Sequence, residues 1–198
     1  MSDADPAETG DASGSTGFSL RSIREGAIGG IAAYAFGYLL TYLWKAGEYR
    51  ETIERIGPIA ELFGVETPAP WRIVGWLFYN AHAVAAYVDM GITSTYIDLI
   101  ARGDGPLEIL YLVPPLSLAA AGYLVVRRLG PVTSVVEAIR LGPMVTIGYL
   151  PIVVVGVFAF RVNGSGPELV PSLLLAGIVY PIAFGGIGGA IAYAMDRR

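Results

Sequence analysis

Charged and uncharged positions form long alternating blocks along this 198-residue chain. Five stretches contain no Asp, Glu, Lys or Arg and consist largely of aliphatic, aromatic and glycine residues. They are residues 26–44, 73–88, 109–126, 141–160 and 169–195, with lengths of 19, 16, 18, 20 and 27 residues. A bilayer core about 30 Å thick needs roughly 20 mainly apolar residues for one helical crossing. The pattern therefore predicts an all-α integral membrane protein, a bundle of five transmembrane helices.

Local signals refine the bounds of these helices. Ser22 with Glu25, and Ser134 with Glu137, have the spacing of a capping box, which marks a helix start. Prolines inside the third, fourth and fifth stretches predict kinks, because each proline removes a backbone donor. The predicted helices cover residues 22–44, 71–88, 107–126, 134–160 and 169–194.

Two segments outside the stretches have their own character. Residues 1–20 are acidic and rich in Ser, Gly, Thr and Ala, so they predict a disordered tail ahead of one transmembrane domain, residues 21–198. Residues 48–63 place apolar side chains at intervals of three and four, which predicts an amphipathic interfacial helix between helices 1 and 2, broken at Gly57-Pro58. This helix is either a connector that packs on its own bundle or a docking site for a partner.

Composition narrows the chemistry. Hydrophobic residues make up 54% of the chain and charged residues only 15%, against roughly 25% charged residues in ordinary globular proteins. With no Cys and a single His, disulfides, thiol nucleophiles and multi-histidine metal sites are excluded. A net charge of -4 without a basic run offers nucleic acid no binding surface. We expect no cofactor, no metal and no enzymatic activity, and the lipid bilayer as the main partner.

Predicted helix 2 holds the most polar residues of the uncharged stretches, Asn80 and His82. Polar groups at membrane depth are costly and usually face the protein interior or a water-filled cavity. Two residues apart on a helix, they point to opposite faces and do not form one site. His82 shares its face with Asp89, about 10 Å along the axis, which leaves either a water-bridged relay or a structural hydrogen bond from His82 to another helix.

A second pattern repeats in helices 3, 4 and 5, where a tyrosine precedes a proline. The pairs are Tyr111 with Pro114, Tyr149 with Pro151, and Tyr180 with Pro181. Proline frees a carbonyl one turn back, so the repetition indicates either broken helices around a site at the membrane midplane or side-chain packing alone.

Two glycine-rich segments resemble each other. Residues 26–35 and 185–194 match at seven of ten positions, and each contains a small-xxx-small motif that lets helices approach closely. The motifs are Gly26/Gly30 and Gly185/Gly189. They predict close helix packing, with an oligomer contact or an internal duplication as alternatives. In a five-helix arrangement the first and last helices run in the same direction, which argues against an inverted repeat.

The distribution of Lys and Arg predicts orientation. With five crossings, nine of the 13 basic residues lie on the side of the C-terminus and four on the side of the N-terminus. We expect the chain to lie in the plasma membrane. The positive-inside rule then places its N-terminus outside the cell and its C-terminus in the cytoplasm.

The segments GWLFYNAH (75–82), YLVPPL (111–116), GYLP (148–151) and LLAGIVYPIAFGGIGGAIA (174–192), together with the acidic tail, resemble a family of small multi-pass membrane proteins of halophilic archaea. The resemblance covers about residues 22–195. Members of that family are sometimes loosely labelled transporters, and the family brings no catalytic or binding residues to carry over.

Two functions fit these observations. A small transporter or channel-like protein, acting as an oligomer, is favoured by the proline-containing helices and by Asn80 and His82. A non-transporting membrane subunit or scaffold, packed against partner membrane proteins through its glycine-rich faces, is favoured by the lack of charged residues in the uncharged stretches to couple ions.

Overall fold

The computed structural model describes residues 19–62, 67–103 and 107–197. The predicted disordered tail therefore lies, up to residue 18, outside the described residues. The α-helices are α1 Leu20–Leu62, α2 Pro70–Asn80, α3 Leu99–Arg102, α4 Val113–Leu129, α5 Val135–Leu141, α6 Thr146–Ala159, α7 Leu169–Pro171 and α8 Tyr180–Asp196. The strands are β1 Ala86–Asp89, β2 Ser94–Ile97 and β3 Gly166–Pro167.

Short non-α segments join several of these helices into longer rods. A 3-10 turn, Leu107–Leu112, leads into α4, a second, Gly142–Val145, joins α5 to α6, and a π-helix, Ser172–Val179, joins α7 to α8. We call these the α4 rod (107–129), the α6 rod (135–159) and the α8 rod (169–196). Together with α1 they are the four helices in the described residues that are long and apolar enough to cross a membrane.

The prediction of a helix over 71–88 is wrong. Helix α2 ends at Asn80, and its 11 residues span about 16 Å, roughly half of a bilayer core. The chain leaves the helix through Ala83, whose φ of 59° is left-handed, and Val84 N–H donates to Tyr79 C=O in the six-to-one bond of a Schellman motif. The sequence pattern extends the predicted helix to residue 88 because residues 81–88 are uncharged, and a short buried strand has no periodicity that distinguishes it from a helix.

The fold is also not all-α. Strands β1 and β2 form an antiparallel hairpin in which Tyr87 pairs with Tyr96, and β1 pairs on its other side with β3. Gly91 turns the hairpin with a φ of 81°, which a side chain rarely adopts. The sheet covers one end of the helices, which we call the sheet end.

Helix α1 is longer than predicted at both ends. Ser19 Oγ accepts from Ser22 N–H, so the helix is capped at Ser19 and not at Ser22. At the other end α1 continues through Pro58 to Leu62. The amphipathic segment is thus the projecting end of α1 and not a separate interfacial helix, because Pro58 lacks only the one donor and the helix runs on past it.

The opposite end of the bundle holds both termini of the described helical region. Arg21, in the first turn of α1, donates to Arg128 C=O, and Arg127 pairs with Asp196 at 2.6 Å. We call this the terminal end. The five-helix prediction places these two ends of the chain on opposite sides of the bundle. The structure places them on the same side, because residues 70–89 return to the end from which they enter.

Glycines hold the four long helices together near the terminal end. A Cβ at Gly30 would overlap the backbone of Val145 and Tyr149, and one at Gly189 would overlap Ala138 C=O. A Cβ at Gly26 would likewise overlap the backbone of Met144, and one at Gly185 would lie 2.9 Å from Gly142 C=O. Both glycine motifs therefore pack against the α6 rod inside the chain, and α1 and the α8 rod also both pack on α4.

The prolines stand mostly where the helix type changes. Pro114 lies in the first turn of α4, Pro143 in a 3-10 turn, and Pro171 and Pro181 at the two ends of the π-helix, whereas Pro151 lies inside α6. A residue without an N–H is tolerated best at such changes of hydrogen-bonding pattern. Kinks in these rods stay a prediction.

Candidate functional site

Residues 70–89 enter the bundle from the sheet end and return to it. Along α2 the hydrogen bonds to the α6 rod move steadily inward: Trp76 Nε1–H donates to Phe160 C=O at 2.8 Å, Tyr79 O–H donates to Val153 C=O, and His82 meets Tyr149. β1 then runs outward to β3. We call residues 70–89 the plug hairpin, because its tip reaches the middle of the α6 rod.

His82 sits at the tip of the plug hairpin with both ring nitrogens in hydrogen bonds. Nδ1 lies 2.7 Å from Phe78 C=O and Nε2 lies 2.7 Å from the Tyr149 hydroxyl. A carbonyl only accepts, so we assign the ring proton to Nδ1, and Nε2 accepts from Tyr149 O–H. The imidazole is 1% exposed, and a ring that donates from Nδ1 and accepts at Nε2 is the neutral tautomer.

Four aromatic rings lie around this histidine, those of Phe78, Tyr79, Tyr149 and Tyr180. Tyr180 lies 5.2 Å and Phe78 lies 4.8 Å from the imidazole, between ring centroids. Tyr34 extends the cluster, because its hydroxyl donates to the Tyr79 hydroxyl at 3.3 Å. The result is a buried cluster with two hydrogen-bonded pairs, Tyr34 with Tyr79 and His82 with Tyr149, between α1, the plug hairpin and the α6 rod.

Asn80 has a different role from His82. Its side-chain amide donates to Val84 C=O at 2.8 Å, and its carbonyl accepts from Leu99 N–H at 2.8 Å. The side chain is fully buried. Asn80 thus fixes the turn of the plug hairpin and ties it to the segment after β2, and the two polar residues of predicted helix 2 do serve separate contacts.

The structure does not bring Asp89 to His82. Asp89 lies at the exposed end of β1, where its carboxylate accepts from Gly91 N–H at 2.8 Å. A relay along one helical face has no basis here, since residues 86–89 form a strand.

Two of the three tyrosines that precede prolines converge on His82, namely Tyr149 and Tyr180. The third, Tyr111, donates to the Asp98 carboxylate at 2.9 Å. Sequence reasoning missed Tyr34 and Tyr79, which lie among apolar neighbours without a spacing that sets them apart.

A π-helix flanks the same region, and nothing in the sequence besides its bounding prolines indicates it. Its first residue, Ser172, is fully buried, and its hydroxyl has no hydrogen-bond partner. Single-turn π segments inside α-helices occur often at functional sites. The described residues contain no group of three His, Cys, Asp or Glu side chains placed to hold a metal ion.

Comparison with known proteins gives one match. The model of a family described as a family of unknown function, DUF7978, matches residues 6–196. No curated protein and no solved structure matches the chain. The match assigns a family of unknown function and says nothing of halophilic archaea, of a membrane or of transport, so those parts of the resemblance stay predictions.

Proposed function

The chain belongs to the DUF7978 family of unknown function, and we propose that it is an integral membrane protein of the small transporter or channel-like type. In this proposal α1 and the three rods cross the bilayer, and the plug hairpin is a re-entrant element that enters from one side and returns to it.

Insertion in a bilayer is supported by the surface of the bundle. The four long helices have 43, 23, 25 and 28 residues, enough for a core that needs roughly 20. Large apolar side chains stand exposed along their outer faces, among them Leu43, Leu116 and Val155. A soluble protein rarely exposes so much contiguous apolar surface, whereas lipid covers it without cost.

A re-entrant plug hairpin is supported by its length and its hydrogen bonds. Lipid-exposed irregular backbone is excluded from a bilayer core, but irregular backbone inside a protein is tolerated. In the turn at Ala81–Val84 the four N–H groups donate to carbonyls of residues 77–80, and the amide of Asn80 donates to Val84 C=O, so these backbone groups are satisfied within the hairpin.

One observation carries the proposal: the only histidine of the chain lies at the tip of the plug hairpin and bonds to Tyr149 at mid-helix. Polar side chains at that depth are uncommon outside solute pathways and structural contacts. Helices that end at the midplane, as α2 does, are typical of transporters that bind their solute there.

The structure then represents a closed state. The glycine contacts hold the terminal half of the bundle shut, and the plug hairpin fills the sheet half. Passage of a solute requires the plug hairpin to move away from Tyr149 and Val153. Since the groups around His82 are hydroxyls, carbonyls and a neutral imidazole, the site favours a small uncharged polar solute over an ion.

Four crossings also alter the predicted orientation. Lys and Arg residues then divide almost evenly between the two ends, so the nine-to-four excess disappears and the positive-inside rule no longer favours one orientation. Both termini lie on the same side of the membrane in this arrangement.

Liposome swelling tests the proposal. The purified chain in liposomes is mixed with an iso-osmotic solution of glycerol or urea, and swelling is followed by light scattering. We expect these liposomes to swell faster than protein-free liposomes. The natural chain has no cysteine, so Ala83→Cys is the only thiol in that variant, and we expect a bulky thiol reagent to slow the swelling of liposomes that carry it. Ala35→Cys, on the outer face of α1, is the matched control.

Equal swelling with and without folded protein contradicts the proposal. That result assigns the chain to the alternative function, a non-transporting membrane subunit. The glycine motifs would then not be its docking faces, since both are occupied inside the bundle.

A further inference from the structure

A groove between α1 and α4 opens on the outer surface of the bundle, away from the plug hairpin. Its volume is about 400 Å³, within the range of small-molecule sites. The walls are apolar, with small side chains at the bottom and large ones at the rims. The lining includes Ile28, Gly29, Ala32, Phe36, Ala120 and Leu124.

The groove ends at a cluster of arginines at the terminal end. The carboxylate of Glu25 accepts from Arg24 at 3.1 Å and lies 3.5 Å from Arg128. A third arginine, Arg21, donates to Arg128 C=O. Two guanidinium groups face one carboxylate and Arg21 lies beside them, so this mouth of the groove carries net positive charge. The side chains of Arg24 and Arg128 are 70% and 62% exposed and are free to turn toward a ligand.

We propose that this groove binds an anionic phospholipid of the membrane, with the phosphate at Arg24 and Arg128 and one acyl chain between α1 and α4. Guanidinium groups bind phosphate oxygens through strong, paired hydrogen bonds. Basic pockets between transmembrane helices are known to recognise lipid headgroups.

The dimensions favour a lipid over a free phosphate or a second copy of the chain. From Glu25 to Phe36 the groove follows α1 for 11 residues, about 16 Å, and one leaflet of a bilayer core is about 15 Å thick. A headgroup at the arginines therefore places its acyl chain along the whole groove. A free phosphate would leave the apolar walls uncovered.

The test uses the purified full-length chain, stripped of lipid in detergent. Phosphatidylglycerol and phosphatidylcholine with identical acyl chains are titrated separately, and bound lipid is counted by native mass spectrometry. We expect phosphatidylglycerol to bind about tenfold more tightly, because only its headgroup leaves the phosphate charge unbalanced for the arginines.

Two double variants separate the headgroup from the chain. Arg24→Gln with Arg128→Gln should abolish the preference for phosphatidylglycerol, and Ala32→Leu with Ala120→Leu should reduce binding of both lipids by filling the groove. All four positions are exposed, so the fold is expected to persist. Arg140→Gln and Ala35→Leu, exposed elsewhere on the same end and the same helix, are matched controls.

Equal binding of the two lipids, or a preference that survives the arginine double variant, overturns the proposal. If native mass spectrometry shows a dimer of the unmodified chain that the groove-filling variant loses, with lipid binding unchanged, the proposal is also overturned and the groove is assigned to a second copy. The lipid site does not depend on transport, so each of the two proposals can fail without the other.

Discussion

At the scale of single residues, the decisive feature is a neutral histidine with no free hydrogen-bonding group. His82 donates to Phe78 C=O and accepts from Tyr149 O–H while it is buried from solvent. A buried polar group that loses its partner costs more than an exposed hydrogen bond, because no water replaces the partner. The hydrogen bond that joins His82 to the α6 rod thus depends on one hydroxyl, that of Tyr149.

Replacing Tyr149 with phenylalanine removes that hydroxyl and leaves Nε2 of His82 unpaired. We expect Tyr149→Phe to lower the free energy of unfolding by about 1–3 kcal/mol, measured by denaturation in detergent. Tyr96→Phe, which removes an exposed hydroxyl bonded to Glu168, should change it by less, since water replaces that contact. If Tyr149→Phe and Tyr96→Phe lowered the free energy of unfolding equally, the buried bond to His82 would contribute no more stability than an exposed hydrogen bond.

At the scale of elements, close backbone contact fixes which helices touch. Gly26 and Gly30 of α1, and Gly185 and Gly189 of α8, meet the same rod, although the two helices run in opposite directions along it. Small residues at such crossings allow backbones to approach where any side chain would separate them.

Two glycines on α1 give a matched comparison. Gly30→Ala forces a Cβ into the backbone of Val145 and Tyr149, whereas Gly47→Ala meets nothing within 4 Å. We expect the first to destabilise the fold by several kcal/mol or abolish it, because neither backbone can move freely. The second should stabilise α1 by about 1 kcal/mol, the helix propensity gained by alanine. Similar melting temperatures of Gly30→Ala and Gly47→Ala would contradict the close backbone contact between Gly30 and the α6 rod.

The end of α2 gives a second comparison. Ala83 has a left-handed backbone and an exposed side chain, and Ala81 has a right-handed helical backbone with φ −62°. Ala83→Gly should raise the free energy of unfolding by about 1 kcal/mol, since the strain of a Cβ in that conformation is relieved. Ala81→Gly should lower it by about the same amount. If residues 71–88 were one helix, both changes would destabilise.

The sequence predicted the elements that rest on long uncharged stretches, and missed those set by contacts between distant segments. α1 and the three rods follow the expected stretches because length and apolarity suffice for them. The end of α2 depends on a Schellman turn that begins at Tyr79, without the glycine that usually marks one. β1 is a strand because β2 and β3 pair with it. The sequence of residues 86–89 alone does not predict that pairing.

The same limit applies to the site. Asn80 and His82 were identifiable because polar residues are rare in apolar sequence. The contact of His82 with Tyr149 and the neighbouring pair Tyr34–Tyr79 were not identifiable, since these residues become neighbours only through the crossing of α1, the plug hairpin and the α6 rod.

At the scale of the whole molecule, the bundle is closed in two different ways. Glycine contacts bring the long helices together toward the terminal end, and the plug hairpin fills the space between them toward the sheet end. The tip of the plug hairpin is held by side-chain hydrogen bonds, which can break and re-form, whereas the glycine crossings involve backbone that cannot be displaced without separating helices. We therefore expect any opening to begin at the sheet end.

The central claim is that residues 70–89 enter the membrane and return to the same side. Single cysteines at Glu61, Thr93 and Pro131, all exposed, are each the only thiol of the molecule. They are labelled with a membrane-impermeant thiol reagent in intact cells and in inverted vesicles. The re-entrant arrangement predicts that Glu61→Cys and Thr93→Cys react from one side and Pro131→Cys from the other. Labelling of Glu61→Cys and Thr93→Cys from opposite sides would show that residues 71–88 cross the membrane and would contradict the plug hairpin.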